Sequence, residues 1–381
     1  MLHYKLSHWE QETFFQDIDI AIIGSGIVGL SAAISLREQV PRKKVVVLER
    51  GPLPIGASSR NAGFACFGSL SELLDDLEHS NMDEVLQLVE QRYRGLQRLR
   101  QRYSDQAIGY EALGGYEVFR QSDQERFSHC QEQLDRINHE LIPVVGEQTY
   151  TVEDKALQSF GMAKEVKHLI LNQAEGQLHT GKLMQTLLQR AQDLGVKCFC
   201  GLEVEELLEV NDKVELNTNY GWSVTAKRVL VATNGFARQL LPDLTVQPAR
   251  NQVLVTTPIP ALKLKGCFHY DRGYVYFRNV GQRVLLGGGR HLNPEGEQTA
   301  AFGHTAQIQD YLTQLLQEVI LPNQSFEIER WWSGIMGVGT QKKPIIETIS
   351  PLTTVAVRLG GMGVALGTEA GEQAAQLLLD G

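Results

Sequence analysis

The stretch IDIAIIGSGIVGLSAAISLRE, Ile18 to Glu38, decides the reading of the fold. Ile18, Ile20, Ile22 and Ile23 form an apolar run of strand character, and Leu30 to Leu36 repeats apolar residues at helical spacing. Between them Gly24, Gly26 and Gly29 spell G-x-G-x-x-G. A second apolar run, VVVLE, Val45 to Glu49, closes on an acid. Strand, glycine turn, helix and a second strand ending in a carboxylate make up the dinucleotide-binding fingerprint. Gly24 allows the tight turn, Gly26 lets backbone approach a pyrophosphate, and Gly29 lets helix and strand pack closely. The helix N-terminus then offers unpaired N–H groups and a positive dipole end. Glu49 would accept a hydrogen bond from a ribose hydroxyl, which disfavours a 2′-phosphate there.

A chain of 381 residues predicts two or three domains and a large core. Its 43% apolar and 21% charged residues are ordinary for a soluble globular protein, and a net charge of −9 argues against a nucleic-acid partner. The most basic stretch, QRYRGLQRLRQRY (Gln91 to Tyr103), keeps an apolar helical stripe through Leu86, Val89, Tyr93, Leu96, Leu99 and Tyr103. Its arginines therefore read as the solvated back of an amphipathic helix. No apolar run reaches the roughly 18 residues a transmembrane helix needs. The start, MLHYKLSHWEQ, has no hydrophobic signal core. Five cysteines, Cys66, Cys130, Cys198, Cys200 and Cys267, fit reduced thiols, so the expected location is the cytoplasm. Cys198 and Cys200 read as two buried small side chains on one strand face. No H-E-x-x-H or paired C-x-x-C occurs, and no metal site is expected.

After the fingerprint the strand–helix alternation stops. Ser69 to Tyr103 reads as helical, Ile108 to Arg120 as strand around a glycine turn, and the stretch to Glu140 as a polar helix. Gly176 to Cys200 reads as helix then strand, and a meander with Asn211-Asp212 and Asn219–Gly221 turns runs to Ala232. Gln252 to Gly289 is strand-rich, Gln307 to Val319 helical, and the chain finishes as strand, glycine turn and helix. Glycine-rich turns after strands recur at Gly24–Gly29, Ala232–Gly235 and Gly360–Gly367, and an extended cofactor touched by several loops would require that spacing. The expected fold is α/β. A discontinuous Rossmann-type domain (residues 15–75, 165–245 and 335–381) is joined to a mixed antiparallel sheet and helix domain (76–164 and 246–334).

Three further segments carry a resemblance over nearly the whole chain: GASSRNAG (Gly56 to Gly63), ATNG (Ala232 to Gly235) and GGMGVALGTEAG (Gly360 to Gly371). With the fingerprint, and in this order, they resemble the D-amino-acid-oxidase-like superfamily of FAD-dependent oxidoreductases. That group includes glycine oxidase, sarcosine oxidase, D-amino-acid dehydrogenase and gamma-glutamylputrescine oxidase. Ser7 to Trp9 and YFR (Tyr276 to Arg278) look most like the last of these. The resemblance implies FAD with its adenosine end on Gly24, Gly26, Gly29, Glu49 and Arg50, and with the Val204 backbone at the adenine. Ser58, Ser59, Arg60, Asn61 and Gly63 would line the route to the isoalloxazine ring, and Ala232, Asn234 and Gly235 form the second nucleotide motif. Gly361, Met362, Gly363 and Val364 would aim the last helix at the flavin C2 carbonyl, where a dipole's positive end suits a reduced flavin.

The implied reaction is oxidation of a C–N bond by hydride transfer to flavin N5. The cofactor carries the hard step, so the lack of a Ser/His/Asp set is expected. His179 and His269 read as satisfied structural groups. Tyr276 and Arg278 share a strand parity. By resemblance Tyr276 falls where the family has a substrate-contacting tyrosine, and Arg278 would meet an anionic group. Met336 stands where amino-acid oxidases of the family carry a carboxylate-clamping arginine, so either Arg60 or Arg278 substitutes or the substrate is an amine or a modified amino acid. The sarcosine oxidases of the family also carry a cysteine near this stretch that bonds the flavin covalently; no cysteine follows Cys267 here, so the resemblance implies noncovalent FAD. The electron acceptor, O2 or a quinone or carrier, stays open, with Lys265, Lys342 and Lys343 as the cations that would favour oxygen. A non-catalytic FAD-binding subunit is the remaining alternative, and either a monomer or a homodimer is expected.

Overall fold

The computed structural model describes residues 4–380. The first unit is β1 (Ile18–Ile23), α1 (Ile27–Gln39) and β2 (Val45–Glu49). A two-residue strand β3 (Phe64–Ala65) leads to α2 (Leu70–Leu77) and α3 (Met82–Tyr103), then β4 (Gly115–Arg120) and α4 (Gln124–Val145). Next come β5 (Tyr150–Val152), β6 (Val166–Asn172), β7 (Gly176–Gln177), α5 (Thr180–Asp193) and β8 (Lys197–Cys200). The meander is β9 (Val204–Val210), β10 (Lys213–Thr218) and β11 (Ser223–Val231). Then follow β12 (Gln247–Thr256), β13 (Cys267–Tyr270), β14 (Val275–Val280), β15 (Arg283–Gly288) and α6 (Ala306–Leu315). The chain closes with β16 (Ile328–Val338), β17 (Ile345–Ser350), β18 (Thr353–Val357) and α7 (Gly363–Asp380).

The strands form two large sheets, as the α/β reading expects. The first runs β17-β18-β11-β1-β2-β8, with β10 and β9 added through β11. Its centre is parallel: β1 pairs with β11 and β2, and Ile23 sits between Val231 and Leu48. Buried on both faces, these strands are continuous β-branched and leucine runs. α1 is buried from Ile27 to Leu36 because α7 covers the face turned away from the sheet. The two helix backbones nearly touch there, and a Cβ on Gly371 would lie 2.5 Å from the Val28 carbonyl oxygen.

The second sheet runs β16-β12-β15-β14-β13-β4-β6-β5 and is antiparallel except where β13 pairs with β4. One face, with Val118, Phe268, Phe277, Leu254 and Leu286, packs on α6 in a separate core. The other face turns inward and carries the side chains of interest below. β6, within the 165–245 segment, is a strand of this second sheet.

Three local readings change. β8 is the outermost strand of its sheet, so Cys200 is exposed and Cys198 only partly covered; they are not two buried thiols. Arg92 does not lie on the solvated back of α3 but is 2% exposed, because its guanidinium caps the Phe67 carbonyl at 2.9 Å. Within Ile108 to Arg120 only β4 is a strand, and Glu111 makes an isolated bridge to Gln177.

Candidate active site

The first two glycine turns meet at the C-terminal ends of the parallel strands, around a cavity of about 310 Å³. Gly24 adopts φ +104°, and a Cβ on Gly29 would stand 2.0 Å from the Gly24 carbonyl oxygen, so only glycine fits at the turn. The cavity is lined by Gly24, Gly26, Glu49, Arg50, Ser58 and Val204, and by Ala232 and Asn234 from the second turn. Glu49 is 6% exposed, and its carboxylate accepts from the Ser25 hydroxyl at 2.7 Å and from the Gly51 N–H at 3.0 Å. The Ile27 N–H of α1 donates to the Ser58 hydroxyl at 2.9 Å. The Val28 and Gly29 N–H groups of that first turn find no partner among the described residues. The Arg50 guanidinium lies 3.8 Å from the centre of the Phe236 ring.

The third turn is tied to the second by one side chain. Asn234 Oδ1 accepts from the Arg358 N–H at 3.1 Å and the Leu359 N–H at 3.3 Å. Asn234 itself sits at φ +47°, where asparagine is better tolerated than most residues. Gly360 and Gly361 follow at φ +58° and +86° and turn the chain into α7. The N–H groups of Gly363, Val364 and Ala365 have no partner among the described residues, while Leu366 N–H closes on the Met362 carbonyl. A second helix N-terminus therefore presents free donors.

From that turn a line of contacts leads to the inward face of the second sheet. A Cβ on Gly361 would lie 3.4 Å from Met336 Sδ. Asn251 Nδ2 is 3.9 Å from that sulfur and donates to the Tyr276 hydroxyl at 3.1 Å. Burial pushes the Tyr276 phenol well above its ordinary value. Phe64 stands edge-on to both Tyr276 and His269, with centroids 5.5 and 5.3 Å apart. Arg278 shares the Tyr276 face, 6% exposed, and its Nη2 is 2.9 Å from where a Gly63 Cβ would be. Its side chain makes no ion pair or hydrogen bond among the described residues, Nε is buried unpartnered, and burial lowers its affinity for the proton.

On the same face, where His269 is the cross-strand partner of Tyr276, lies a buried ionic cluster. Glu175 accepts from the Phe67 and Gly68 N–H groups at 2.9 and 3.1 Å and pairs with His269 Nε2 at 3.1 Å. Burial by itself would lower the His269 pKa, yet Glu175, Glu72 and Glu117 hold it above the usual value. Burial, with Glu175 nearby, pushes the Cys66 thiol well up. The donor atoms of Cys66, Glu175 and His269 all lie within 4.8 Å of one another. Burial raises Glu117 too, although Ser71 donates to it twice. Glu72 is held down by Arg92 and Lys342 against its own burial. Lys342 pairs with Glu72 at 3.5 Å and Asp76 at 2.5 Å.

Several expected site residues stand apart from the cavity. Ser59 and Arg60 turn to an outer groove beside α5 and Trp332. Arg60 Nε and Nη1 donate to the Ile55 and Ser333 carbonyls at 3.0 and 2.9 Å, and the guanidinium lies 4.4 Å from the Phe302 ring centre, so it is committed to structure. Asn61 shapes the turn, accepting from Gly63 N–H at 2.8 Å and Thr180 Oγ1 at 2.9 Å. Gly235 packs against β16, where a Cβ would lie 2.5 Å from the Met336 carbonyl oxygen. His179 caps α5, accepting from Lys182 N–H at 3.2 Å. Asn251, Phe64 and Glu175 were not legible as site residues. Each is one ordinary residue in a strand or turn, far in sequence from the partners that give it a role.

Two helix N-termini with free donors, a first glycine turn closed to any Cβ, and a buried carboxylate where a ribose would end define a dinucleotide-binding fold. The chain belongs to the FAD dependent oxidoreductase family, DAO, whose model matches residues 19–377. FAD is therefore its cofactor, and the donors and acceptors around the cavity fit a pyrophosphate and a ribose. A probable oxidoreductase, OrdL, from Haemophilus influenzae is 23% identical, covering 96% of this chain and 84% of that protein. A bifunctional ThiO/ThiG protein of Trichormus variabilis is 27% identical over 87% of this chain, which spans only 48% of that protein. Among solved structures, glycine oxidase from Geobacillus kaustophilus superposes with a TM-score of 0.75 at 20% identity, covering 95% of this chain and 94% of that one. Iminodiacetate oxidase from Chelativorans sp. BNC1 gives a TM-score of 0.75 at 19% identity, covering 95% of each chain. No described helix is long and apolar enough to cross a membrane.

Proposed function

We propose that this oxidoreductase oxidises the C–N bond of an amine or modified amino acid, with FAD held noncovalently. Bound FAD supplies the two-electron acceptor for that oxidation. The α1 N-terminus with Gly24, Gly26 and Gly29 takes the pyrophosphate, Glu49 a ribose hydroxyl, and the Val204 backbone the adenine. Arg50 and Ser58 line this end. The α7 N-terminus, through Gly361, Met362, Gly363 and Val364, faces the electron-rich end of the ring. Residues 15–75, 165–245 and 335–381 hold the cofactor, while 76–164 and 246–334 shape the substrate side. The line from Gly361 through Met336 and Asn251 to the Tyr276 hydroxyl carries this reading, because it joins a helix N-terminus to a walled sheet face. Tyr276 and Phe64 orient the substrate and exclude water. Relatives named as glycine oxidase and iminodiacetate oxidase support an amino-acid-like substrate.

The purified holoenzyme, mixed anaerobically with a panel of primary and secondary amines and amino acids, should lose its flavin absorbance with at least one of them. Bleaching by none would leave only an FAD-binding subunit. Stoichiometric peroxide in air would distinguish an oxidase from a dehydrogenase. Lys342 is already paired with two carboxylates, so it is a poorer oxygen-promoting cation than its position in the sequence implies.

A further inference from the structure

We propose that Cys66, Glu175 and His269 form a binding site for one divalent transition metal ion, zinc by the chemistry of its ligands. The inference is independent of the amine-oxidising reading above, which gives these three residues no part. Glu175 and His269 are buried, and Cys66 beside them is partly covered, which leaves an ion a way in. The ligands lie far apart in the chain, so no metal-binding spacing shows in the sequence.

Strand pairing assembles the set. β3 pairs with β7, Ala65 opposite Gly176, and this brings Cys66 beside Glu175. β13 carries His269 and runs alongside β4, with Cys267 opposite Gly115. A Cβ on Gly115 would lie 2.0 Å from Glu175 Oε2, so glycine there leaves the carboxylate its room. Glu175 Oε1 is fixed by the Phe67 and Gly68 N–H groups at 2.9 and 3.1 Å, while Oε2 faces His269. Backbone donors that orient a ligating carboxylate in this way are the usual outer support of a metal site.

A thiolate, a carboxylate and a neutral imidazole carry two negative charges, which one divalent ion cancels. Thiolate and imidazole select zinc and its neighbours over magnesium or calcium. Tetrahedral zinc, with bonds of about 2.0–2.3 Å, holds its ligand atoms about 3.3–3.7 Å apart. Glu175 Oε2 and His269 Nε2, 3.1 Å apart, stand close to that separation. From within 4.8 Å the Cys66 sulfur closes the set by moving about 1 Å. Three protein ligands leave a fourth position for water. Without metal, the ion pair of His269 and Glu175 takes its place. That pair alone gives the sulfur no role: Cys66 is a free thiol, and its Sγ makes no hydrogen bond among the described residues.

The test loads untagged holoenzyme, first stripped with a chelator, with zinc chloride and measures retained metal by plasma mass spectrometry after gel filtration. The wild type should retain about one zinc per chain, and its thermal midpoint should rise with added zinc. Cys66→Ser and His269→Gln should each weaken zinc at least about 100-fold, since loss of an outer support alone costs 10–100-fold. Cys200→Ser, which removes an exposed thiol elsewhere, should retain zinc as the wild type does, and flavin content should be the same in all. Zinc-edge X-ray absorption of the wild type should show one sulfur at about 2.3 Å among nitrogen and oxygen neighbours. Failure of the wild type to retain zinc overturns the proposal, as does zinc that persists in Cys66→Ser and His269→Gln. Should those variants not fold, the absorption spectrum decides, and a zinc shell without sulfur overturns the proposal.

Discussion

The proposed cofactor end and the proposed substrate face of this molecule are built on opposite principles. Around the first sheet, the proposed cofactor site is made of backbone: N–H groups at two helix N-termini, the first held open by glycines that tolerate no Cβ. On the second sheet, the proposed substrate side is made of side chains, a tyrosine held by an asparagine beside a buried ionic cluster. A backbone site depends on close approach and is intolerant of added atoms. A side-chain site depends on charge balance, so its weak points are titratable groups.

The first way to break this comparison is Gly29→Ala. A methyl 2.0 Å from the Gly24 carbonyl oxygen must push α1 away from β1. The expected cost is about 3 kcal/mol or more, at the upper end for overpacking, with loss of bound flavin. Thermal unfolding and the flavin-to-protein absorbance ratio measure both. A yellow variant with wild-type stability would show that the backbone site has slack.

The substrate face should break through charge. Glu175→Gln keeps the size but removes the carboxylate paired directly with His269, leaving only the more distant Glu72 and Glu117 to balance it. Loss of the paired charge costs about 2–3 kcal/mol, somewhat less than full removal of a buried partner because the amide still accepts hydrogen bonds and Glu72 and Glu117 remain. The same pair gives a pH signature. The native His269 pKa is raised above its unfolded value. Its contribution to stability is therefore complete below about pH 6.5 and is lost as pH rises through the native value. Thermal midpoints taken from pH 6 upward should fall more steeply in the wild type than in His269→Gln. Parallel curves would remove the histidine from the ionic account.

This division also explains what was legible in the sequence. Gly24, Gly26, Gly29 and Glu49 form a local pattern because one strand–turn–helix must supply them all, and the third turn at Gly360–Gly363 reads the same way. Hydrophobic periodicity found β1, β2, β12, β14, β15 and both terminal helical stretches, since each buries a regular face. The ionic cluster has no such period. Glu175 sits in a turn, His269 in β13 and Arg92 in α3, and only the pairing of distant strands brings them together. Arg92 was misread for the same reason: a charged residue beside an apolar stripe looks solvated until a carbonyl from another segment reaches it. Arg60 was read from its neighbours in a motif, but its own side chain turns outward to Ser333.

The smallest expected effect sharpens the comparison most. Tyr276→Phe removes one hydroxyl and leaves the ring packed against Phe64. Asn251 Nδ2 loses its acceptor but keeps its contact with Met336 Sδ at 3.9 Å, so stability should fall by only about 1 kcal/mol. Flavin content should not change, because Tyr276 does not line the cavity and its hydroxyl bonds to Asn251. If Tyr276 orients the substrate, KM should rise several-fold with little change in kcat, the pattern for a binding contact used equally in ground and transition states. A matched fall in kcat and kcat/KM would instead move the hydroxyl from holding the substrate to stabilising the reacting atoms. Loss of flavin from this variant would mean that the two regions are not separable, and that the sheet face is part of the cofactor's own seat.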